Sequence, residues 1–235
     1  MTANLPPLPG ASDLRFDPIP AELRQRLGDP LSPLQWRPYP WLPFDWSLQV
    51  GDWGWIYASP EVETVGWAEA LLRLRWSHPP IPWVRPPDSL LTHLQEPSPQ
   101  DQVLLTFCWS LNRVVQAAVL DQELATAGYS PQESHNRTLD QICQHVERIP
   151  EFARVLLVLE LLYREISIPQ QQQLKAICGQ DVMQAAYQMN MMCVDPHSPD
   201  RTLLQVQRIA LKLAGEAEAY LRSSVRTQLS DGRIV

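Results

Sequence analysis

The sequence predicts a mainly α fold: a helical bundle fronted by an irregular layer, rich in proline and tryptophan, that carries one β-hairpin. Three observations predict it. Eight of the nine tryptophans and 18 of the 23 prolines lie in the first 99 of 235 residues. Proline fixes φ and removes a backbone donor, so this stretch cannot be helical for long, while its indoles supply large apolar area for packing. After residue 99 the chain is nearly free of proline and reads as one helical pattern after another. Between the two, 46–50 and 53–57 are aromatic-rich runs joined by Gly51 and Asp52, a glycine-first pair that closes a tight hairpin.

In chain order, residues 1–20 contain Leu5, Pro6, Pro7, Leu8 and Pro9 and then Pro18 and Pro20. They favour extended polyproline conformation and offer little to bury, so they form an arm. Residues 21–27 make a two-turn helix stopped by Gly28. Residues 29–43 follow as a meandering coil whose indoles, Trp36 and Trp41, pack on the helices. In the hairpin, Val50 faces Trp53, Leu48 faces Trp55 and Trp46 faces Tyr57, which puts six large groups on one face and Ser47, Gln49, Gly54 and Ile56 on the other. A lone hairpin is marginal in water, so helices or a partner must cover the aromatic face.

From residue 59 on, one device recurs. Ser59-Pro60, Ser98-Pro99, Ser130-Pro131 and Ser198-Pro199 each place an N-cap hydroxyl before a proline at the first helical position. Glu133, three residues after Ser130, completes a capping box. The expected helices are 60–75, a short one at 87–95, 99–127 ended by Gly128, 131–148, 150–165, 169–178 ended by Gly179, 181–193 and 199–227. Segment 150–165 is apolar nearly all round, as the central helix of a bundle is. The chain thus divides into the arm (1–20), the Pro/Trp-rich layer (21–98) and the bundle (99–235), with the last two expected to form one cooperative unit.

Composition narrows the function classes. The net charge of −7 argues against a general polyanion binder. The cysteines Cys108, Cys143, Cys178 and Cys193 form no CxxC pair and fall in helical patterns, so they read as reduced thiols of a cytoplasmic protein. The first residues carry no basic stretch and no long apolar run, so no secretory signal is expected. The best membrane candidate, 155–162, has eight residues and includes Glu160, too short and too charged to span a bilayer.

Chemistry is sparse. Cys143 and His145 could join Cys193 and His197 in a zinc quartet, but residues two apart on a helix point nearly opposite ways. Cys108, beside Trp109 in an apolar stretch, is a thiol that burial keeps inert. Glu216 with Glu218, and Glu160 with Glu165, diverge on their helices and read as solvated or structurally paired carboxylates rather than an acid/base pair. Residues 51–54 lack the length, the lysine and the helix of a phosphate loop. The sequence therefore predicts no catalytic residues, no metal and no cofactor.

The last helix carries the one suggestive pattern. At about 100° per residue, Arg201, Arg208, Lys212, Arg222 and Arg226 fall inside a stripe of about 80°. Leu204, Val206, Ile209, Leu213, Ala217, Tyr220 and Leu221 take the far side. Lys175 and Lys212 are the only lysines among 19 cations, and arginine's planar fork suits carboxylate or phosphate. The expected function is a non-catalytic interaction, assembly or regulatory factor, with this ridge docking an acidic protein partner. A DNA-associated regulator is the alternative, because 150–165, 169–178 and 181–193 have a helix-turn-helix rhythm, although the would-be recognition helix has no cation. An enzyme without a recognisable motif ranks third. Two weaker contact features are the PxxP spacing of residues 5–9 and the methionines Met189, Met191 and Met192.

Overall fold

The computed structural model describes residues 19–28, 34–37, 45–58, 62–77, 80–92, 94, 96–195 and 197–235. The expected arm up to residue 18, and most of the 29–43 coil with Trp41, lie outside these residues. Ile19, expected at the end of the arm, is buried. The described chain is mainly α, with a small sheet at its front.

Helix α1 (Ala21–Leu27) stops where Gly28 takes φ 76°. Strand β1 (Leu34–Arg37) occupies part of the stretch expected to be coil and pairs in parallel with the hairpin. The hairpin itself is β2 (Trp46–Val50) and β3 (Trp53–Tyr57), in the register Trp46↔Tyr57, Leu48↔Trp55 and Val50↔Trp53 that the turn residues imply. The strand order is β1-β3-β2. Trp46 stacks on Tyr57 with centroids 4.2 Å apart, and Trp55 is buried, while Trp53 at the turn is half-buried.

Both faces of this sheet are covered. The aromatic face joins the main core with α3 (Pro99–Thr126), α5 (Glu151–Tyr163), α7 (Gln180–Cys193) and α8 (Pro199–Leu213). Ile56 on the opposite face joins α1, α2 (Thr64–Arg75) and the end of α3 in a second cluster. Both clusters draw on residues before and after position 98. The apolar α5 runs through the middle, packed on α3 and α7, with Phe107 and Phe152 5.7 Å apart across one interface. Helix α3 is long and apolar enough to cross a membrane, a stronger candidate than 155–162 of α5, yet 83% of its most apolar window is buried inside the protein. Packing accounts for its composition.

The capping signals place the helix starts unevenly. The Ser98 hydroxyl accepts the Asp101 amide at 3.2 Å, and the Ser130 hydroxyl accepts the Glu133 amide at 3.3 Å, opening α3 and α4 (Pro131–His145). Ser198 makes no such bond, although α8 still begins at Pro199. Helix α2 starts at Thr64, with residues 62 and 63 not helical, and the Ser59-Pro60 start lies outside the described residues. Residues 88–92 form a 3₁₀ turn in place of the short helix expected there. Helix α6 (Ile168–Cys178) meets α7 across Gly179 alone, whose φ is 89°.

The largest departure is at the C-terminal end. The expected helix over 199–227 breaks: α8 ends at Leu213, Gly215 takes φ 57°, and a 3₁₀ turn leads into a separate α9 (Glu218–Ser224). The chain then enters strand β5 (Arg226–Gln228), antiparallel to β4 (Trp83–Arg85) of the front layer. Asn112 of α3 holds β4 from the other side: its Oδ1 accepts the Val84 amide at 2.7 Å and its Nδ2 donates to the Val84 carbonyl at 2.8 Å. That pairing satisfies a backbone amide and carbonyl that would otherwise be buried without partners.

Candidate partner-binding surface

The break at Gly215 divides the basic ridge. Arg201, Arg208 and Lys212 stay together on the exposed face of α8 and make no ion pair with any described residue. Arg222 sits on α9, where its guanidinium meets Glu218 at 2.6 Å. Arg226 is exposed on β5, opposite Arg85 in the ladder. The five residues therefore do not share one helical stripe. Glycine with positive φ ends α8, and no rotation about a single axis relates residues on either side.

Leu204 does not lie on the far side: at 100° per residue it falls about 60° from Arg201 and about 40° from Arg208. It is 42% exposed, on the same side of α8 as Arg201 and Arg208, while Thr202, Leu203, Val206, Ala210 and Leu211 form the buried side. The available surface is thus Arg201, Leu204, Arg208 and Lys212, at spacings of three, four and four residues: an apolar contact with cations on both sides along one face.

The helix-turn-helix reading meets a different surface from the one it needs. The one-residue link at Gly179 is shorter than the three or four residues usual between such helices. Gln184 and Gln188 are exposed on α7, but Asn190 is half-buried, and the rest of the outer face is Gln180, Asp181, Tyr187, Met191 and Met192. Met189 belongs to the core, so the three methionines do not act together.

One group of charges is turned inward. Glu69 and Arg73 of α2, Arg113 and Asp121 of α3, and Glu160 and Arg164 of α5 form one ion-pair network. Arg113 reaches Glu160 at 2.5 Å and Glu69 at 3.1 Å; Arg73 reaches Glu69 at 2.8 Å. Ser134 of α4 donates to Glu69 and accepts from Arg164, and Thr138 accepts from Arg113. Three carboxylates thus face three guanidinium groups. Burial pushes the Glu69 and Glu160 carboxyls up, but the surrounding arginines outweigh it and hold both below the usual carboxylate range. The space beside the network, near Ser47 and Arg73, is about 20 Å³, roughly the room one water needs. The arrangement ties four helices together; it has no room for a substrate.

A second ion pair closes that side. Arg137 of α4 contacts Asp45, which also accepts from Gln141 at 3.2 Å. Its guanidinium lies directly over Gly66, and burial pushes its pKa down to about 10.

The sequence reads Glu160 as a solvated or structurally paired carboxylate, and it is structurally paired, but with Arg113, Arg73 and Arg164. The sequence singles out none of these, nor Glu69. Glu165, the other carboxylate of the diverging pair, is exposed and has φ 56°. A signal for the network was present: Glu160 and Arg113 are single charges inside otherwise apolar helical stripes, and a lone charge there requires a partner.

The cysteines Cys108, Cys178 and Cys193 are buried and Cys143 is half-buried; all are free thiols. Among the described residues no group of three or more His, Cys, Asp and Glu side chains is placed to share a metal ion. Comparison with known proteins found no matching family model, no matching curated protein and no matching solved structure.

Proposed function

We propose that this chain is a non-catalytic interaction protein, an assembly or regulatory factor, that docks an acidic protein partner through α8. The observation that carries the reading is a contrast among its arginines. Arg73, Arg113, Arg137 and Arg164 are spent inside the molecule on carboxylates, whereas Arg201, Arg208 and Lys212 are exposed together, around Leu204, with no ion pair to a described residue. Three cations along one helix face with no ion pair to a described residue contribute little to folding and leave their donors available for carboxylates. Leu204 adds the apolar contact that gives such a patch more than a charge to recognise. Arg222, engaged by Glu218, and Arg226, on β5, flank the patch rather than extend it.

The test is the double variant Arg208→Glu/Lys212→Glu, compared with wild type for proteins recovered with the chain from its native cell extract. The expected result is loss of acidic co-purifying proteins with the folded state intact, because exposed substitutions shift stability by no more than about 0.5 kcal/mol. An unchanged set of recovered proteins refutes the docking role. Loss confined to nucleic acid, steep in salt, would favour the DNA-associated regulator instead.

A further inference from the structure

We infer that the acidic surface which fits the α8 ridge is carried by this chain itself, so that the ridge of one copy docks in a groove of a second. The inference rests on the ridge reading above and names its partner.

The groove runs between α1, the start of α2 and the outer face of α4. It consists of two adjoining cavities of about 760 and 540 Å³ that share Glu63 and Glu133. Its charge is lopsided. Glu22, Glu63, Glu133 and Asp140 are all exposed and are in no ion pair with a described residue. Of the two cations that line it, Arg137 is occupied by Asp45, and Arg26 lies over the Tyr129 ring at 5.5 Å. Among the described residues none of the four carboxylates is in an ion pair, just as none of the three cations on α8 is.

The two surfaces have the same spacing. Glu133 and Asp140 line the groove on α4, and Arg201 and Arg208 lie on the exposed face of α8. Both the Glu133–Asp140 and the Arg201–Arg208 pairs span seven residues, about 10.5 Å of helix. Either sense sets two cations against two carboxylates, and the antiparallel one also gives the third cation a carboxylate. With Arg201 against Asp140, Arg208 falls against Glu133, and Lys212 runs past the start of α4 to the end of the groove lined by Glu22 and Glu63. In the parallel sense Lys212 would face the uncharged Gln144.

The pairing is between molecules. Helix α4 packs on α2, α3 and α6, while α8 packs on α3, α5 and α7, and no ion pair joins their outer faces within one chain. Ridge and groove are different patches, so the contact is heterologous and builds a ring or an open chain rather than a two-fold dimer. With a net charge of −7 on each copy, long-range repulsion opposes association until salt screens it, whereas contacting charges keep their attraction. Association should accordingly be strongest at intermediate salt, where the Debye length is about 10 Å, and should be lost at about 1 M, where it is about 3 Å.

The experiment is sedimentation velocity over a concentration series at these two salt levels, on the full chain. Wild type is expected to form species larger than a monomer at the lower salt only. Arg208→Glu/Lys212→Glu and Glu63→Lys/Glu133→Lys should each weaken association by about tenfold or more. The four changes combined in one chain should restore it. Far-UV circular dichroism checks each fold, and the milder Glu63→Gln/Glu133→Gln should weaken association in the same direction. A wild type that stays monomeric throughout overturns self-pairing. The ridge reading then still stands if Arg208→Glu/Lys212→Glu loses its other partners in extract, and falls if it does not. Association that survives the groove variants, or is not restored by the combined one, also overturns the proposed pairing.

Discussion

Arg113 of α3 and Glu160 of α5 face each other inside the protein, with Nε and Oε2 2.5 Å apart and neither side chain more than 6% exposed. Two helices that the sequence presents as apolar are joined at their contact by full charges. Removing one partner leaves the other buried and uncompensated, whereas removing both keeps the network balanced.

Glu160→Gln is therefore expected to cost about 3–5 kcal/mol, read as a lower urea midpoint. Glu160→Leu/Arg113→Met removes one charge of each sign and should be more stable than the single variant. If the double variant were the less stable of the two, the network would not be held by charge balance.

Acid should act through the same carboxylates. Burial raises the pKa of Glu69 and Glu160, but Arg73, Arg113 and Arg164 hold both below their unfolded values. The unfolded chain then binds protons first as pH falls, so the stabilisation is complete above the unfolded pKa of about 4.3 and is lost through the lower folded values. The urea midpoint should be flat from pH 7 to about 5 as far as these groups set it, and should drop steeply below about 4. Glu160→Leu/Arg113→Met should show a shallower drop.

Gly66 makes room for Arg137. A Cβ at this position would come within 2.6 Å of the Arg137 Cζ, with the guanidinium held by Asp45. Gly66→Ala should cost about 1–3 kcal/mol despite the gain in helix propensity. In the Arg137→Ala background the same change should cost much less, and additivity in that cycle would show that the two residues do not collide.

Trp55 is 1% exposed, between the sheet and the bundle, and lies 6.4 Å from the Tyr57 ring. Trp55→Ala should cost about 3–5 kcal/mol by thermal or urea unfolding. A cost under 1 kcal/mol would mean that the sheet is not anchored through this face.

Thiol labelling should follow burial. Burial pushes Cys178 up to about 11 and Cys108 higher still, while half-buried Cys143 is raised less. Because the thiolate is the nucleophile, alkylation near pH 8 should mark Cys143 first and Cys108 only as fast as the fold opens. Peptide mass spectrometry over time reads the order directly.

The hairpin and most helix starts were legible in the sequence because each is set by neighbours in the chain. Gly51 and Asp52 fix the turn, and the turn fixes the register of Trp46, Leu48 and Val50 against Tyr57, Trp55 and Trp53. Ser98 and Ser130 cap their helices within three residues. The α8 cations were legible for the same reason: positions 201, 208 and 212 share a helix face wherever that helix packs. Tertiary structure decided the rest. Whether Gly215 sits inside a helix or breaks one depends on what the following residues can pair with, and Arg226, Thr227 and Gln228 find β4, more than 140 residues earlier in the chain. Strand β1 likewise exists because β3 offers it an edge. The charge network depended on burial, since Glu69, Arg113 and Glu160 become strongly coupled only when helices distant in sequence bring them out of water. Local sequence sets turns, caps and helix faces; which strand edges are filled and which charges are buried together depends on contacts that close only when the whole chain has packed.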